Sequence, residues 1–244
     1  MKKYAADIHI HTVLSPCGDL EMSPVNIVRR AKEQHLDIIG ITDHNATAHN
    51  QLVKEMARKE DIMVVMGAEV NTREEVHCLV FFENRKALTD FQKFIDRHLP
   101  IVKNRPELFG YQVVVDEHEN IIHTEDRLLI SALQTGLAEV EEKVHQLEGI
   151  CIPAHINKVK NSILSQLGFI PAGSGYDALE ISGPAGASEI NLRDTQDITL
   201  VRNSDAHYLK DIGTNRMFFH LEERSFREIK MALAGQNGRR VELS

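Results

Sequence analysis

The chain has 244 residues, enough for one barrel-sized domain, and its 42% hydrophobic and 26% charged residues are ordinary globular values that build a core without staples. Lys and Arg total 28 against 36 Asp and Glu, a net charge of −8 with a pI near 5.9, so nucleic acid is not expected as a partner; a metal cluster would reverse the sign locally and admit a small anionic substrate. The three cysteines are odd in number and lack Cys-x-x-Cys spacing, which argues against a disulfide framework; with no signal-like or membrane-spanning apolar run, a reducing, cytoplasmic location without membrane contact is expected.

Strand-like and helix-like patterns alternate, the signature of β/α units feeding a parallel sheet. The first strand carries Asp7-Ile8-His9-Ile10-His11-Thr12. Residues two apart on a strand share a face, so His9 and His11 are expected to project together, with Ile8 and Ile10 pointing away. Two imidazoles side by side at a strand end are half of a metal site. Ser23-Pro24 opens a helix, Ser as N-cap and Pro in the first helical position, with Ile27, Val28, Ala31 and Leu36 as its inward stripe. A strand follows over 37–42, a helix over about 47–60, a strand over 62–66 and a helix over 86–98 with Leu88, Phe91, Phe94 and Ile95 on one face. Residues 99–125 break the rhythm: Val113-Val114-Val115 and Ile121-Ile122 read as a hairpin insertion. Helical patterns resume at 126–133 and 138–147, 171–175 is a loop, 178–182 a strand and 225–234 a last helix. No repeat or low-complexity linker divides the chain, so one domain with an insertion is expected.

Further apolar runs deliver ligand-type residues: Gly40-Ile41-Thr42-Asp43-His44, Val64 to Glu69, Val76-His77 to Phe81, Ile150 to His155 and Leu200 to His207. Side chains offered from the ends of several strands are how a barrel enzyme assembles its site. With His9-Ile10-His11-Thr12, Thr42-Asp43-His44-Asn45, Pro153-Ala154-His155 and Ser204-Asp205-Ala206-His207 in order, and Glu69 and His77 between them, the sequence resembles the PHP (polymerase and histidinol phosphatase) superfamily from about residue 7 to 207.

That resemblance implies an α/β fold, a distorted (β/α)7 TIM-like barrel, with two or three divalent metal ions (zinc, iron or manganese) at its C-terminal mouth. His9, His11, Glu69 and Asp205 would hold a first metal. Glu69, as a bridge, would hold a second with His77 and His155. His44 and His207 would hold a third, with a ligand from Ser15-Pro16-Cys17-Gly18-Asp19. Many relatives place an Asp five residues before the helix-opening Pro, which favours Asp19; Cys17 is the alternative, since a thiolate also binds zinc. A hydroxide bridging two ions would be the nucleophile, with Glu69 and Asp205 holding the ions that activate it. Asp43 is expected to orient a ligand, and His207 or a water to protonate the leaving alkoxide.

Lys158 stands three residues after His155, where it can meet a substrate phosphate. Asn203 is a marginal candidate and Arg202 faces away from Asp205 by strand alternation. The remaining histidines, His49 among them, read as solvated or capping residues. The expected function is a metal-dependent phosphoesterase, a phosphatase or phosphodiesterase, acting on a small phosphorylated substrate. The alternatives are a proofreading-type 3'-5' nuclease and a non-catalytic, metal-stabilised regulatory module. The insertion and the 171–175 loop are expected to narrow the barrel mouth.

Overall fold

The computed structural model describes residues 1–183, 195 and 198–243. Its first half runs β1 (Lys2–Ile10), α1 (Pro24–Glu33), β2 (Ile38–Ile41), α2 (Asn50–Arg58), β3 (Met63–Asn71), β4 (His77–Phe82), α3 (Arg85–His98), α4 (Pro106–Phe109), β5 (Val113–Val115) and β6 (Ile121–Thr124). The second runs α5 (Leu137–Gln146), β7 (Ile150–Pro153), α6 (Ile163–Leu167), β8 (Leu179–Ile181), β9 (Leu200–Arg202), β10 (Met217–Leu221), α7 (Phe226–Leu233) and β11 (Arg240–Leu243).

One sheet has the order β11-β10-β1-β2-β3-β4-β7, and β8 pairs with β9. Backbone hydrogen bonds close the curl. Asp177 N–H donates to Cys151 O and Ile156 N–H to Glu180 O, joining the flanks of β7 and β8; His11 N–H donates to Ala206 O and Ala206 N–H to His9 O, joining the end of β9 to β1. The ring β1-β2-β3-β4-β7-β8-β9 is thus the expected distorted seven-stranded barrel, and β10, itself paired with β11, lies antiparallel along the first half of β1.

β4 is the source of distortion: it runs antiparallel to both β3 and β7. Only residues 72–76 separate β3 from β4, far fewer than the dozen or so a parallel crossover needs, so a hairpin is forced. His77 therefore begins its strand instead of ending it, and the reversal returns it to the rim where the parallel strands end, opposite Asn71.

A second irregularity sits in β1. Asp7 pairs with Ile39 but Ile10 with Ile41, so β1 holds one extra residue opposite Gly40. The expected alternation of Ile8 and Ile10 on one face is broken there. Ile8 packs in an inner cluster with Ala6, Ile38, Val65 and Leu79, whereas Ile10 packs with Ile39 and Ile41 in the cluster facing the outer helices. Gly40 is what allows the bulge, because a Cβ there would lie 2.3 Å from Ile8 O.

Ser23 and Asn84 cap α1 and α3 by accepting N–H bonds from Asn26 and Ala87. Ile27, Val53, Phe91 and Val140 anchor α1, α2, α3 and α5 outside the barrel, while Phe226 and Ile229 of α7 join the inner cluster. The helix expected at 126–133 does not form. Its amides bond elsewhere, Leu128 N–H to Val102 O and Leu133 N–H to Asn71 O, while the Asn45 and Asn71 amides take the carbonyls of Leu129, Ser131 and Ile130. The insertion forms the β5–β6 hairpin and packs Val113 and Val115 on Val13, with Gly110 against Pro16 O.

Candidate metal centre

Glu69, fully buried on β3, is the hub of the rim. Its Oε1 lies 3.0 Å from His77 Nδ1, 3.3 Å from His155 Nε2 and 3.4 Å from His9 Nε2; its Oε2 lies 3.1 Å from His44 Nδ1 and 3.3 Å from His11 Nε2. Asp205 closes the other side, its Oδ1 being 3.2 Å from His9 Nε2 and 3.4 Å from His11 Nε2. Asp205 and His155 both take positive φ, 54° and 30°, which turns the chain sharply as it leaves the strand.

Hydrogen bonds behind the rings fix which nitrogen faces inward. His9 Nδ1–H donates to Glu180, 3.0 and 3.1 Å from its two oxygens. Ser15 Oγ donates to Asp43 Oδ1, so it accepts from His11 Nδ1–H at 3.0 Å. His207 Nδ1–H donates to Asp205 O. Each bond leaves Nε2 with a lone pair aimed into the site, the arrangement that holds a metal-ligating imidazole.

Those lone pairs meet one another. His9 Nε2 and His11 Nε2 are 3.2 Å apart, and each also lies within 3.4 Å of oxygens of Glu69 and Asp205. His44 Nδ1 and Glu69 Oε2 are buried at 3.1 Å, yet neither has a hydrogen-bond partner. Carboxylates and imidazoles converging in this way, with His44 Nδ1 and Glu69 Oε2 left unpartnered, fit divalent cations. Donor atoms within 4.8 Å of one another fall into three groupings: His9, His11, Glu69 and Asp205; His44, Glu69 and His77; and His11, Cys17, His44 and His207.

Burial opposes charge on Glu69 and Asp205, but the imidazoles, His77 foremost for Glu69 and His9 for Asp205, hold both carboxyls well below the usual range. Burial also opposes protonation of His9, yet Glu180, Asp205 and Glu69 raise it well above 6.5. Burial wins at His44, which is lowered well below that value, and at His207, pushed down to about 4.

The third grouping takes Cys17, where the sequence favoured Asp19. Asp19 belongs to none of the groupings among the described residues; its carboxylate accepts Glu21 N–H at 2.8 Å and its own N–H donates to His207 O. Asp43 belongs to none of the groupings among the described residues. Its Oδ1 accepts Thr12 N–H and Ser15 Oγ–H and its Oδ2 accepts Thr12 Oγ1–H, so it positions Ser15, which positions His11.

Four supporting residues, Ser15, Glu180, Asp7 and His49, escaped the sequence reading. Glu180, besides His9, accepts His155 N–H and an Asn203 amide N–H, and Asn203 in turn accepts Ile8 N–H at the bulge. Asp7 accepts Ser204 Oγ–H and Gly213 N–H, pinning the segment before Asp205. His49, read as a surface residue, is buried: its Nε2 accepts Val115 N–H and its Nδ1–H reaches Thr12 Oγ1. A Glu in the apolar run 178–181 was the one available signal; Ser15 and His49 carried none.

A cavity of about 370 Å³ opens over the cluster, lined among others by Cys17, Glu69, Asn71, Lys158, Lys160 and His207. Lys158 reaches it as expected, but its Nζ donates to Asp205 Oδ2 at 2.5 Å, and Asp205 keeps the ammonium charged against its burial. Neither the insertion nor the 171–175 loop lines this cavity, so neither narrows it. The insertion packs beside Val13 and Pro16, and the loop borders a separate cavity of about 840 Å³ with Glu141 and Tyr176.

The PHP domain model matches residues 7–170 of the chain. Among curated proteins, the uncharacterized protein YqxK of Bacillus subtilis is 22% identical over 99% of this chain and 64% of its own length; the uncharacterized protein MJ1587 of Methanocaldococcus jannaschii is 34% identical over 28% of this chain and 45% of its own. Among solved structures, the lesion-specific endonuclease EndoQ of Pyrococcus furiosus superposes with a TM-score of 0.71 at 18% identity, covering 98% of this chain and 58% of that one. An Endonuclease Q complex with a 27-mer duplex bearing an abasic lesion gives 0.68 at 19% identity with the same coverages. A structure from Bifidobacterium adolescentis assigned as a metal-dependent phosphoesterase gives 0.58 at 17%, covering 95% and 96%. The chain thus spans less than two thirds of the curated relatives and of the endonucleases, and at these identities the structural likeness concerns the fold.

One expectation falls with these comparisons. Net charge was taken to make nucleic acid an unlikely partner, yet the fold matches, over nearly the whole chain, a structure that holds a DNA duplex. The error was to read a global sum as a local field: Lys158 and Lys160 face the cavity irrespective of the −8 total. Among the described residues, no helix is long and apolar enough to cross a membrane.

Proposed function

The chain belongs to the PHP domain family, and on that premise we propose that it is a metal-dependent phosphoesterase whose substrate presents one phosphate to the cavity above Glu69. The observation that carries this reading is the convergence of inward-facing imidazole lone pairs on Glu69 and Asp205, with lysine at the mouth. His9, His11, Glu69 and Asp205 would hold one ion, His44, Glu69, His77 and His155 a second, and His11 or His44 with Cys17 and His207 a third; zinc, iron and manganese all suit such donors. Bound ions supply Lewis-acid neutralisation of phosphoryl charge and acidify a water for attack.

The chain's own residues do the rest. Glu180, Ser15 and Asp43 keep His9 and His11 in the ligating tautomer. Lys158 places a positive charge beside Asp205, within reach of an incoming phosphate oxygen. A cavity of about 370 Å³ suits a substrate of nucleotide size, which favours a small phosphomonoester or phosphodiester. The fold shared with Endonuclease Q favours a second reading, cleavage of a nucleic-acid strand.

The deciding experiment reconstitutes the protein with zinc, iron or manganese. It then screens p-nitrophenyl phosphate, bis(p-nitrophenyl) phosphate, mononucleotides, sugar phosphates, histidinol phosphate, single-stranded DNA and an abasic duplex. Chelator-sensitive turnover of at least one is expected. Absence of turnover on all of them, in protein that retains its metal, would overturn the reading.

A further inference from the structure

The cavity of about 840 Å³ runs between α5 and the segment 167–176, and it shares no lining residue with the cavity over Glu69. Its size is that of a small-molecule site. Leu137, Ala138, Leu167, Pro171 and Ala172 give it an apolar wall. Its acidic groups are Glu74, Glu141 and Glu142, and among the described residues no Lys or Arg lines it. His145, also at this wall, is turned to Asp177 at 3.2 Å.

The carboxylates are held in place with oxygens to spare. Glu74 Oε2 accepts Leu137 N–H at 3.0 Å, Glu141 Oε1 accepts Gly175 N–H at 2.5 Å, and Glu142 Oε1 accepts a Gln146 amide N–H at 3.0 Å. The second oxygens of Glu141 and Glu142 make no hydrogen bond among the described residues. Glu74 Oε1 has only Arg73, at 3.6 Å. The facing wall is fastened as well: Asp177 accepts Cys151 N–H at 2.9 Å.

Tyr176 is the observation that points to a ligand. It lines the cavity and is 7% exposed, yet its hydroxyl makes no hydrogen bond among the described residues and is not sealed off, so it opens on the cavity. Burial, then the nearby Cys78 and Cys151 thiols and the Glu141 and Glu74 carboxylates, push its ionisation above the usual 10, so it stays a neutral hydroxyl able to accept a hydrogen bond. Ser174 Oγ, at the same cavity, is buried without a partner.

The spacing of the acids selects the kind of cation. A metal ion needs its donors in one small sphere, and among the described residues no such grouping includes these glutamates. They are strung out instead. Glu74 engages α5 at Leu137, and Glu141 stands four residues on, about 6 Å along the helix axis. Separated ammonium groups on an alkyl chain match that order of acid, apolar wall and acid.

We propose that this cavity binds an alkyl polyamine, with its ammonium groups on Glu74, Glu141 and Glu142, its methylenes on the apolar wall and an ammonium N–H on the Tyr176 hydroxyl. Binding there is independent of the phosphoesterase reading, because no residue of the metal centre takes part.

Isothermal titration of the metal-reconstituted chain at fixed ionic strength tests it. The probe is spermidine, with octane-1,8-diol as an uncharged counterpart and N-acetyl-tetralysine amide as a basic peptide. One spermidine should bind per chain. Glu141→Gln should weaken it roughly ten- to a hundredfold, the loss of a hydrogen bond to a charged group. Tyr176→Phe should weaken it about fivefold, with Tm no lower than wild type because that hydroxyl serves no protein partner. Glu139→Gln, on the same helix but off the cavity, makes the same change in net charge and should leave the affinity unchanged. Absence of saturable spermidine binding, equal weakening in Glu139→Gln and Glu141→Gln, or diol binding as tight as spermidine overturns the proposal. So does a peptide that binds more tightly than spermidine, which would assign the groove to a basic protein segment, and so does a fall in Tm in Tyr176→Phe, which would make the hydroxyl structural.

Discussion

Glu180 and His9 are both fully buried, and the His9 Nδ1–H is shared between the two Glu180 oxygens at 3.0 and 3.1 Å. The same carboxylate accepts His155 N–H and an Asn203 amide, so one residue orients the first histidine and the loop of another. Glu180→Gln removes the charge that raises the basicity of His9 while keeping its volume. Metal affinity should drop by roughly 10–100-fold, the usual cost of losing an outer partner of a ligating imidazole. Isothermal titration with zinc or manganese reads this directly, and unchanged affinity would remove Glu180 from the site.

Glu69 stands in a different position, since five imidazoles approach it and no other carboxylate is so placed among the described residues. Glu69→Gln should cost more metal equivalents, by elemental analysis, than His77→Ala or His155→Ala taken singly. Its loss of turnover should exceed the roughly 10–100-fold set by an outer-partner change. Metal content and turnover near wild type would refute the bridging role.

The ligand types were readable because short-range patterns carry them: His9-x-His11, the strand-end His44 and the Asp205-x-His207 pair each declare themselves within three residues. The geometry behind them was not. The bulge that directs His9 inward depends on Gly40 of another strand, the reversal that brings His77 to the rim depends on a short turn, and the Asp19 carboxylate is turned onto Glu21 N–H while Cys17 lies among His11, His44 and His207. Glu180 acts through partners tens of residues away, and a periodicity reading sees only a strand there. Leu128, Leu129 and Leu133 keep a helical spacing that tertiary hydrogen bonds override.

Gly40→Ala tests the bulge itself. The new Cβ would lie 2.3 Å from Ile8 O and 2.7 Å from Ile8 Cα, both backbone atoms that cannot rotate away. Overpacking of this kind costs about 1–3 kcal/mol, which for a chain of this size is a fall in Tm of roughly 2–4 °C per kcal/mol. Because the strain falls on the residue before His9, metal affinity should fall with Tm. A wild-type melting curve and wild-type metal titration would show the bulge to be incidental.

The pH dependence of stability should carry a contribution from His49. Burial lowers its pKa below 6.5, and its Nε2 must stay unprotonated to accept Val115 N–H. The unfolded chain then binds more protons at His49 than the folded one between the lowered value and 6.5, so this contribution is full above 6.5 and is lost as pH falls through that window. In metal-saturated protein, denaturant titrations of wild type should show stability rising with pH there, with a His49 share of up to about 1.4 kcal/mol per pH unit. His49→Gln should lower stability at neutral pH and flatten the curve by that share. Parallel curves for the two proteins would refute the buried, neutral assignment.

The last prediction separates Cys17 from Asp19. Sγ of Cys17 shares a sphere of 4.8 Å with nitrogens of His11, His44 and His207, and burial beside the Glu69 and Asp205 carboxylates pushes the thiol up to about 12 in the metal-free protein. A soft cation would favour the thiolate strongly enough to displace that proton, so zinc occupancy there should depend on Cys17 and release a proton on binding. Cys17→Ala should reduce the zinc content by up to one equivalent and leave the ions at the Glu69 cluster in place. Asp19→Asn should keep the full content, because its carboxylate serves only the Glu21 turn. Elemental analysis of the two variants decides it: loss of metal in Asp19→Asn with full content in Cys17→Ala would return the third position to the carboxylate.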